Sequence, residues 1–491
     1  MHLLGRNTEA GGLRMSRIRI AIFLSVLLLL VTQSATIGTS SAQGGDRVIY
    51  LPTVLRERAA YTAFGIESSN LTNSSAGIAA SGARWVRKNA LVWRDVEPAE
   101  GQRNWGAVAA LDAQLGAARA AGLQTILIVR GTPDWAQKVA DKACGPIRED
   151  KLPAFAAFMR DAVLRYSRLP YGVLHWEFWN EPDVDAALVP GGSPFGCYGD
   201  ASDEYYGGGA YAQMLKAVYP VVKDAAPAAQ VVMGGLLMDC DPENLSLACN
   251  NVQGDEEKTE QKRRVGRFFE GVLRAGGGSY FDIGNFHSYD RYTNPNSPGQ
   301  YSNLSWGNTN ADGPVLLRKY AYLRSLLEKY GVGDKPMMNT ETAVICAGRN
   351  NPCGVAPNEN IQLANAYYIA QSYAAAHALN LQANIHYSYE GWNGTNMISG
   401  TQKLAPYTAF VVASQRIGGA AYVGPITADD VGVSGIAGYK FMKNAKKLWV
   451  VWSIDGTERV VNVSGAPVFI DALGAAAANP IGYKPVYIEW Q

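Results

Sequence analysis

The sequence predicts an α/β fold, a (β/α)8 TIM barrel with a small C-terminal all-β domain, on three observations. Eight apolar runs of strand length alternate with Ala- and Leu-rich stretches of helical spacing. Connections from helix to strand are tight, whereas those from strand to helix are long, as when the long loops of a barrel all rise from one face. After the eighth run the helical spacing gives way to short alternating stretches divided by turn residues. A doubly wound open sheet is the competing architecture, but the Gly-rich phosphate turn it usually carries after an early strand is missing from the sequence.

In chain order, residues 1–42 read as a signal peptide. Arg17 and Arg19 precede the apolar run Ile20–Val31, and Ser40-Ser41-Ala42 places small residues before a cleavage point. The run is about 12 residues, short of the ~20 needed to span a bilayer, so no stable membrane span is expected once the peptide is removed. Residues 43–59 read as a linker with a possible short strand at Arg47–Leu51. The barrel is expected over 60–420. Its strands are Thr62–Glu67, Arg84–Lys88, Thr125–Arg130, Leu174–Trp179, Gln230–Leu236, Phe281–Phe286, Pro336–Thr340 and Asn384–Tyr389. The helices between them include Trp105–Ala121, Pro153–Tyr166, Tyr211–Ala225, Lys262–Ala275, Pro314–Tyr330 and Gln362–Ala378. A last helix at Leu404–Ile417 leads into a β-sandwich-like domain over 421–491. Its expected strands are Tyr439–Met442, Lys447–Ser453, Arg459–Val463, Val468–Ala472 and Val486–Trp490.

Composition excludes some partners. Lys plus Arg number 44 against 43 Asp plus Glu, so the chain has no excess charge with which to attract nucleic acid or an anionic membrane. The export signal implies an oxidising compartment, where the six cysteines read as disulfides; none has metal-site spacing. All six fall in strand-to-helix connections. Adjacency pairs Cys240 with Cys249 and Cys346 with Cys353 within single loops, and Cys144 with Cys197 between the third and fourth. Secretion follows as the expected location, and no cofactor or catalytic metal is called for.

Two carboxylates stand out. Glu181 closes the fourth strand in Trp179-Asn-Glu-Pro182, and Glu341 closes the seventh in Asn339-Thr-Glu-Thr342. Strand ends on one barrel face point into a common space, and a carboxyl pair there is the apparatus of glycoside hydrolysis. Glu177 lies four residues before Glu181, on the same strand face, and reads as a buried structural carboxylate. Trp135 and Trp179 divide evenly between core packing and a sugar platform.

The Trp179-Asn-Glu-Pro182 motif, with a Glu on the seventh strand, resembles clan A of the glycoside hydrolases. Within it, the chain is most similar to the xylosidase/iduronidase family (family 39) and cellulase-like relatives. The resemblance implies a retaining β-glycoside hydrolase acting on plant- or microbial-type oligo- or polysaccharides. Glu181 would be the acid/base and Glu341 the nucleophile, while Asn180 would bond the sugar 2-hydroxyl. Trp85-Val-Arg-Lys88 resembles the second strand, whose Arg87 would brace the nucleophile. Phe286-His-Ser-Tyr289 resembles the sixth, making His287 and Tyr289 partners of the carboxylates. Trp392, after the eighth strand, would be a sugar platform. A catalytically inactive carbohydrate-binding barrel and a transglycosylase with the same two Glu are the alternatives.

Overall fold

The computed structural model describes residues 62–187, 189–190, 192–244, 264–294, 297–346 and 358–490. The expected signal peptide and linker lie outside the described residues, as do Cys249 and Cys353.

The apolar runs form eight parallel strands: β1 (Phe64–Glu67), β2 (Trp85–Val92), β3 (Gln124–Arg130), β4 (His175–Asn180), β5 (Gln230–Gly235), β6 (Gly284–Tyr292), β7 (Met337–Ile345) and β8 (Ala383–His386). Helices follow in turn: α1 (Leu71–Ala80), α2 (Ala109–Ala120), α3 (Leu152–Tyr166), α4 (Gly208–Ala225), α5 (Phe268–Arg274), α6 (Leu316–Lys329), α7 (Glu359–Ala378) and α8 (Ala405–Ile417). The strands are ordered β5-β4-β3-β2-β1-β8-β7-β6, and bridges Val232–Ile283 and Leu236–Phe286 close the ring between β5 and β6. This is a (β/α)8 barrel. Trp85, Ile126, Val232, Ile283, Met338, Ala383 and Ile385 cluster as one buried group from strands around the ring, a filled interior rather than a pore. A larger cluster, including Phe155, Met159, Trp176, Phe178 and Leu215, fills the space between strands and helices. Burying each such side chain contributes ~1.5–3 kcal/mol.

Two expected boundaries change near the site. β6 continues past Phe286 to Tyr292, and β7 past Thr340 to Ile345, because the two strands stay paired up to Arg291–Ile345. Glu341 therefore lies inside a strand rather than at its end.

The C-terminal region holds one five-stranded antiparallel sheet: β9 (Ala421–Pro425), β10 (Ile436–Lys443), β11 (Lys446–Ser453), β12 (Val468–Asp471) and β13 (Val486–Glu489), ordered β9-β10-β11-β13-β12. Asn444 and Ala445, with φ of 50° and 62°, make the two-residue turn between β10 and β11. The expected strand Arg459–Val463 is absent. Asn479 takes both backbone groups of Val461 onto its side-chain amide (2.9 and 2.8 Å), and Asn462 N–H bonds Val431. β9 is an addition to the expected strands; it contains Gly424 and Pro425, and its pairing with β10 shifts register between Tyr422 and Gly424. One face of the sheet (Phe441, Leu448, Val450, Trp452, Tyr487) shares a core with Tyr373 of α7 and Phe410 of α8. Among the described residues, no helix is long and apolar enough to cross a membrane.

Candidate active site

Strict alternation along β4 would point Trp179 inward with Glu177. Instead Trp179 adopts φ of 65° and Glu181 φ of 47°, a left-handed conformation uncommon for such residues. The turn throws Trp179 outward against Phe155 and Tyr198, with its indole N–H on the Cys144 carbonyl at 2.9 Å. Asn180 and Glu181 are left facing the barrel mouth, where both line a cavity of about 380 Å³.

Arg87 is the hub of the site. It is fully buried and donates through Nη1 to Glu67 (2.7 Å) and to Glu341. Nε and Nη2 grip Glu177 at 2.9 and 2.7 Å, and Nη2 also reaches Asn180 Oδ1 at 2.7 Å. Strand register places Glu67 directly beside Arg87. Glu177 is further held by the Gly235 N–H at 3.0 Å, which makes it the structural carboxylate of the group. With Oδ1 committed to Arg87, the Asn180 NH2 is turned to the cavity. The other oxygen of Glu341 accepts from the Tyr289 hydroxyl.

Glu181 is held differently. Its Oε1 lies 2.8 Å from His287 Nδ1, whose Nε2 lies 3.2 Å from Thr340 Oγ1. Its Oε2 is buried with no hydrogen-bond partner. The His287 ring fits because residue 235 is glycine; a Cβ there would collide with Nε2. Burial, and then the Glu341 charge, push the Glu181 carboxyl well above the usual range. Burial raises Glu341 too, but Arg87 and Tyr289 pull it back, so Glu341 ionises before Glu181. Burial pushes Glu67 up to about 8. His287 is driven down by burial and by the Arg87 and Lys319 charges, so it is neutral.

The structure brings Asn180, Glu181, Tyr289, Glu341 and Trp392 together on the cavity wall, with Arg87 and His287 immediately behind. Trp392 is 48% exposed, edge-on to Tyr289 and Tyr387. For two tryptophans the structure favours core packing over a sugar platform. Trp179 is fully buried in the helix-facing core, and Trp135 is tied to the Glu97 carbonyl (3.2 Å) and packed edge-on to Trp93; neither lines the cavity. Unforeseen members are Glu67, Phe195, Lys319 and Tyr387. Glu67 closes the first strand, a position that in retrospect marked it; Lys319 belongs to a helix and carried no signal.

Glu181, His287 and Glu341 offer ligand atoms within 4.8 Å of one another. Both Glu341 oxygens are already engaged, and the adjacent Arg87 cation repels a metal, so the trio is suited to moving protons rather than holding an ion. Cys144 and Cys197 form a disulfide, with Cα atoms 5.2 Å apart, that ties the loop after β3 to the loop after β4. Cys240 and Cys346 are also disulfide-bonded; the partners expected for them, Cys249 and Cys353, lie outside the described residues.

No family model and no curated protein matches the chain. Solved structures do. A family 39 glycoside hydrolase from Bacteroides cellulosilyticus superposes with a TM-score of 0.62 at 16% identity, over 88% of this chain and 82% of that one. A glycoside hydrolase family 30 subfamily 8 xylanase from Clostridium acetobutylicum gives 0.54 at 13% identity, over 88% and 98%. A monomeric β-xylosidase from Caulobacter crescentus gives 0.52 at 16% identity, over 84% and 82%. At these identities the likeness is one of fold, a (β/α)8 barrel continued by a C-terminal β sheet.

Proposed function

We propose that this protein is an exported retaining β-glycoside hydrolase acting on oligo- or polysaccharides, with Glu341 as nucleophile and Glu181 as acid/base. The observation that carries the reading is the pair itself. Oxygens of the two carboxyls lie within 4.8 Å, one group gripped by Arg87 and Tyr289, the other on the cavity wall with one oxygen buried and without a hydrogen-bond partner. Retention needs a separation of ~5–5.5 Å, whereas inversion needs ~6.5–9.5 Å to admit a water between them. The fold shared with glycoside hydrolases supports the same reading, as do the N-terminal segment and the disulfides for export.

The steps follow from the hydrogen bonds. A Glu341 oxygen attacks the anomeric carbon while the bond to the leaving oxygen breaks, and the proton on Glu181 Oε2 passes to that oxygen. His287, donating from Nδ1 to Oε1, leaves Oε2, which has no protein partner, as the oxygen that carries the proton. Ester formation removes the Glu341 charge, which had opposed ionisation of Glu181, so Glu181 becomes a base as required. It then takes a proton from water, the water oxygen bonds the anomeric carbon, and Glu341 leaves as carboxylate. The Asn180 NH2 is placed to donate to a sugar hydroxyl, and Trp392 to stack on a ring.

The test is a panel of aryl β-glycosides offered to wild type, Glu181→Ala and Glu341→Gly. Cleavage by wild type is expected, with Glu341→Gly crippled throughout and restored by azide through a product of inverted configuration, and Glu181→Ala crippled on aryl groups that need a proton to leave. Sugar binding without cleavage of any aryl glycoside or polysaccharide would instead establish an inactive binding barrel.

A further inference from the structure

β5 and β6 meet through the isolated bridges Val232–Ile283 and Leu236–Phe286, where the other neighbouring barrel strands pair as ladders. The Lys319 ammonium reaches the mouth end of this seam from α6. It donates to the Leu237 carbonyl, just beyond β5, at 2.6 Å and to the His287 carbonyl on β6 at 2.9 Å. Lys319 is buried, lines the cavity, and has its third N–H unclaimed by protein among the described residues. A neutral donor would satisfy two carbonyls without the cost of burying a charge, so the charge calls for a separate account. The groups facing it are, in order of attraction, Asp239 after β5, Asp183 and Glu181 from the end of β4 and Asp290 from β6, with neutral His287 and the Trp306 ring beside them. Asp183 and Asp290 are occupied by backbone N–H groups, Leu237 and Met238 for the first and Val315 for the second. Glu181 is the carboxyl in this set that the proposed reaction must charge and discharge.

We propose that Lys319 is a positioning residue for the acid: its ammonium pins the seam beneath His287, and its charge supports the carboxylate that Glu181 becomes after giving up its proton. This rests on the assignment of Glu181 as acid/base. Lys319 favours the ionised form of Glu181, so removing it must raise the acid's pKa and carry the alkaline limb of kcat/KM to higher pH.

The experiment compares 2,4-dinitrophenyl and phenyl β-glycosides of a sugar the wild type cleaves. Dinitrophenolate departs without a proton; phenolate needs one. In Lys319→Met the phenyl substrate is expected to lose about 10²-fold, the lower range of general-acid catalysis, while the dinitrophenyl substrate changes by only a few fold. The ratio of the two rates is independent of how much protein is folded. Lys319→Gln donates to the same carbonyls without a charge and is expected to retain the upward shift of the limb. Equal losses on both substrates, or a limb unmoved in either variant, would overturn the proposal. Failure of wild type to cleave any glycoside would bring down the assignment of Glu181 first.

Discussion

Replacing Arg87 with methionine removes the counter-charge of Glu67, Glu177 and Glu341 together. Breaking a buried pair by deleting one partner costs ~3–5 kcal/mol, because the remaining charge is left unpaired. The stranded carboxyls escape this by taking up protons, so their folded pKa values rise above the unfolded ones. An acid raised on folding keeps its stability below the unfolded pKa and loses it as pH climbs through the folded value. Glu67 already behaves this way in the wild type, being pushed up to about 8. Glu341, raised by burial and pulled back by Arg87, would rise further in the variant. The Arg87→Met deficit should therefore be small near pH 4.5 and grow to its full size by pH 8. With ~2.1 cal/mol/K per residue over the roughly 430 residues from Arg58 to Gln491, the full deficit lowers Tm by about 3–6 °C. Thermal melts of both proteins between pH 4.5 and 8 measure this. A Tm difference that is flat across the range, or largest at acid pH, would refute the account of Arg87 as the charge balance of the site.

Two further outcomes follow from the same geometry. The kcat/KM profile should be bell-shaped, rising as Glu341 ionises and falling as Glu181 loses its proton; in Glu181→Ala, dinitrophenyl glycosides should still be cleaved, with no fall on the alkaline side. Trp392→Ala should raise KM three- to tenfold with Tm unchanged, the scale of an aromatic contact, whereas Trp179→Ala should cost ~3–5 kcal/mol of stability, measured by denaturant melts, as a core deletion does.

The barrel was legible because its signal is collective: eight alternations, each weak, agree on one architecture, and Glu181 and Glu341 gain meaning from standing on strands four and seven. Arg87, His287 and Tyr289 came from motif resemblance, and the structure places each within bonding distance of a carboxylate. What stayed hidden was hidden for identifiable reasons. Trp179 stays open between core and platform on sequence grounds because alternation presumes an extended backbone, and the left-handed φ of 65° that turns it into the core cannot be read from spacing. The strand at Arg459–Val463 failed because a side-chain amide, Asn479, satisfied the backbone of Val461, and periodicity is blind to such a partner.

Lys319 illustrates a further limit. On a barrel helix, a lysine in an apolar stretch reads as solvated, yet this one passes inward to the mouth because the seam between β5 and β6 leaves carbonyls of Leu237 and His287 to be satisfied there. Glu67 is the converse case: it was visible at a strand end but had no evident task until Arg87 was found beside it. The site thus combines three carboxyls around one guanidinium with a second cation near the acid. Glu67, pushed up to about 8, favours a charged Glu341 beside Arg87 while it holds a proton. Neutral Glu67→Gln should then support turnover close to wild type at pH 6, whereas Glu67→Lys, placing a second cation against Arg87, should abolish it. A Glu67→Gln variant as inactive as Glu67→Lys would show that Glu67 works as an anion and that the proton resides elsewhere in the cluster.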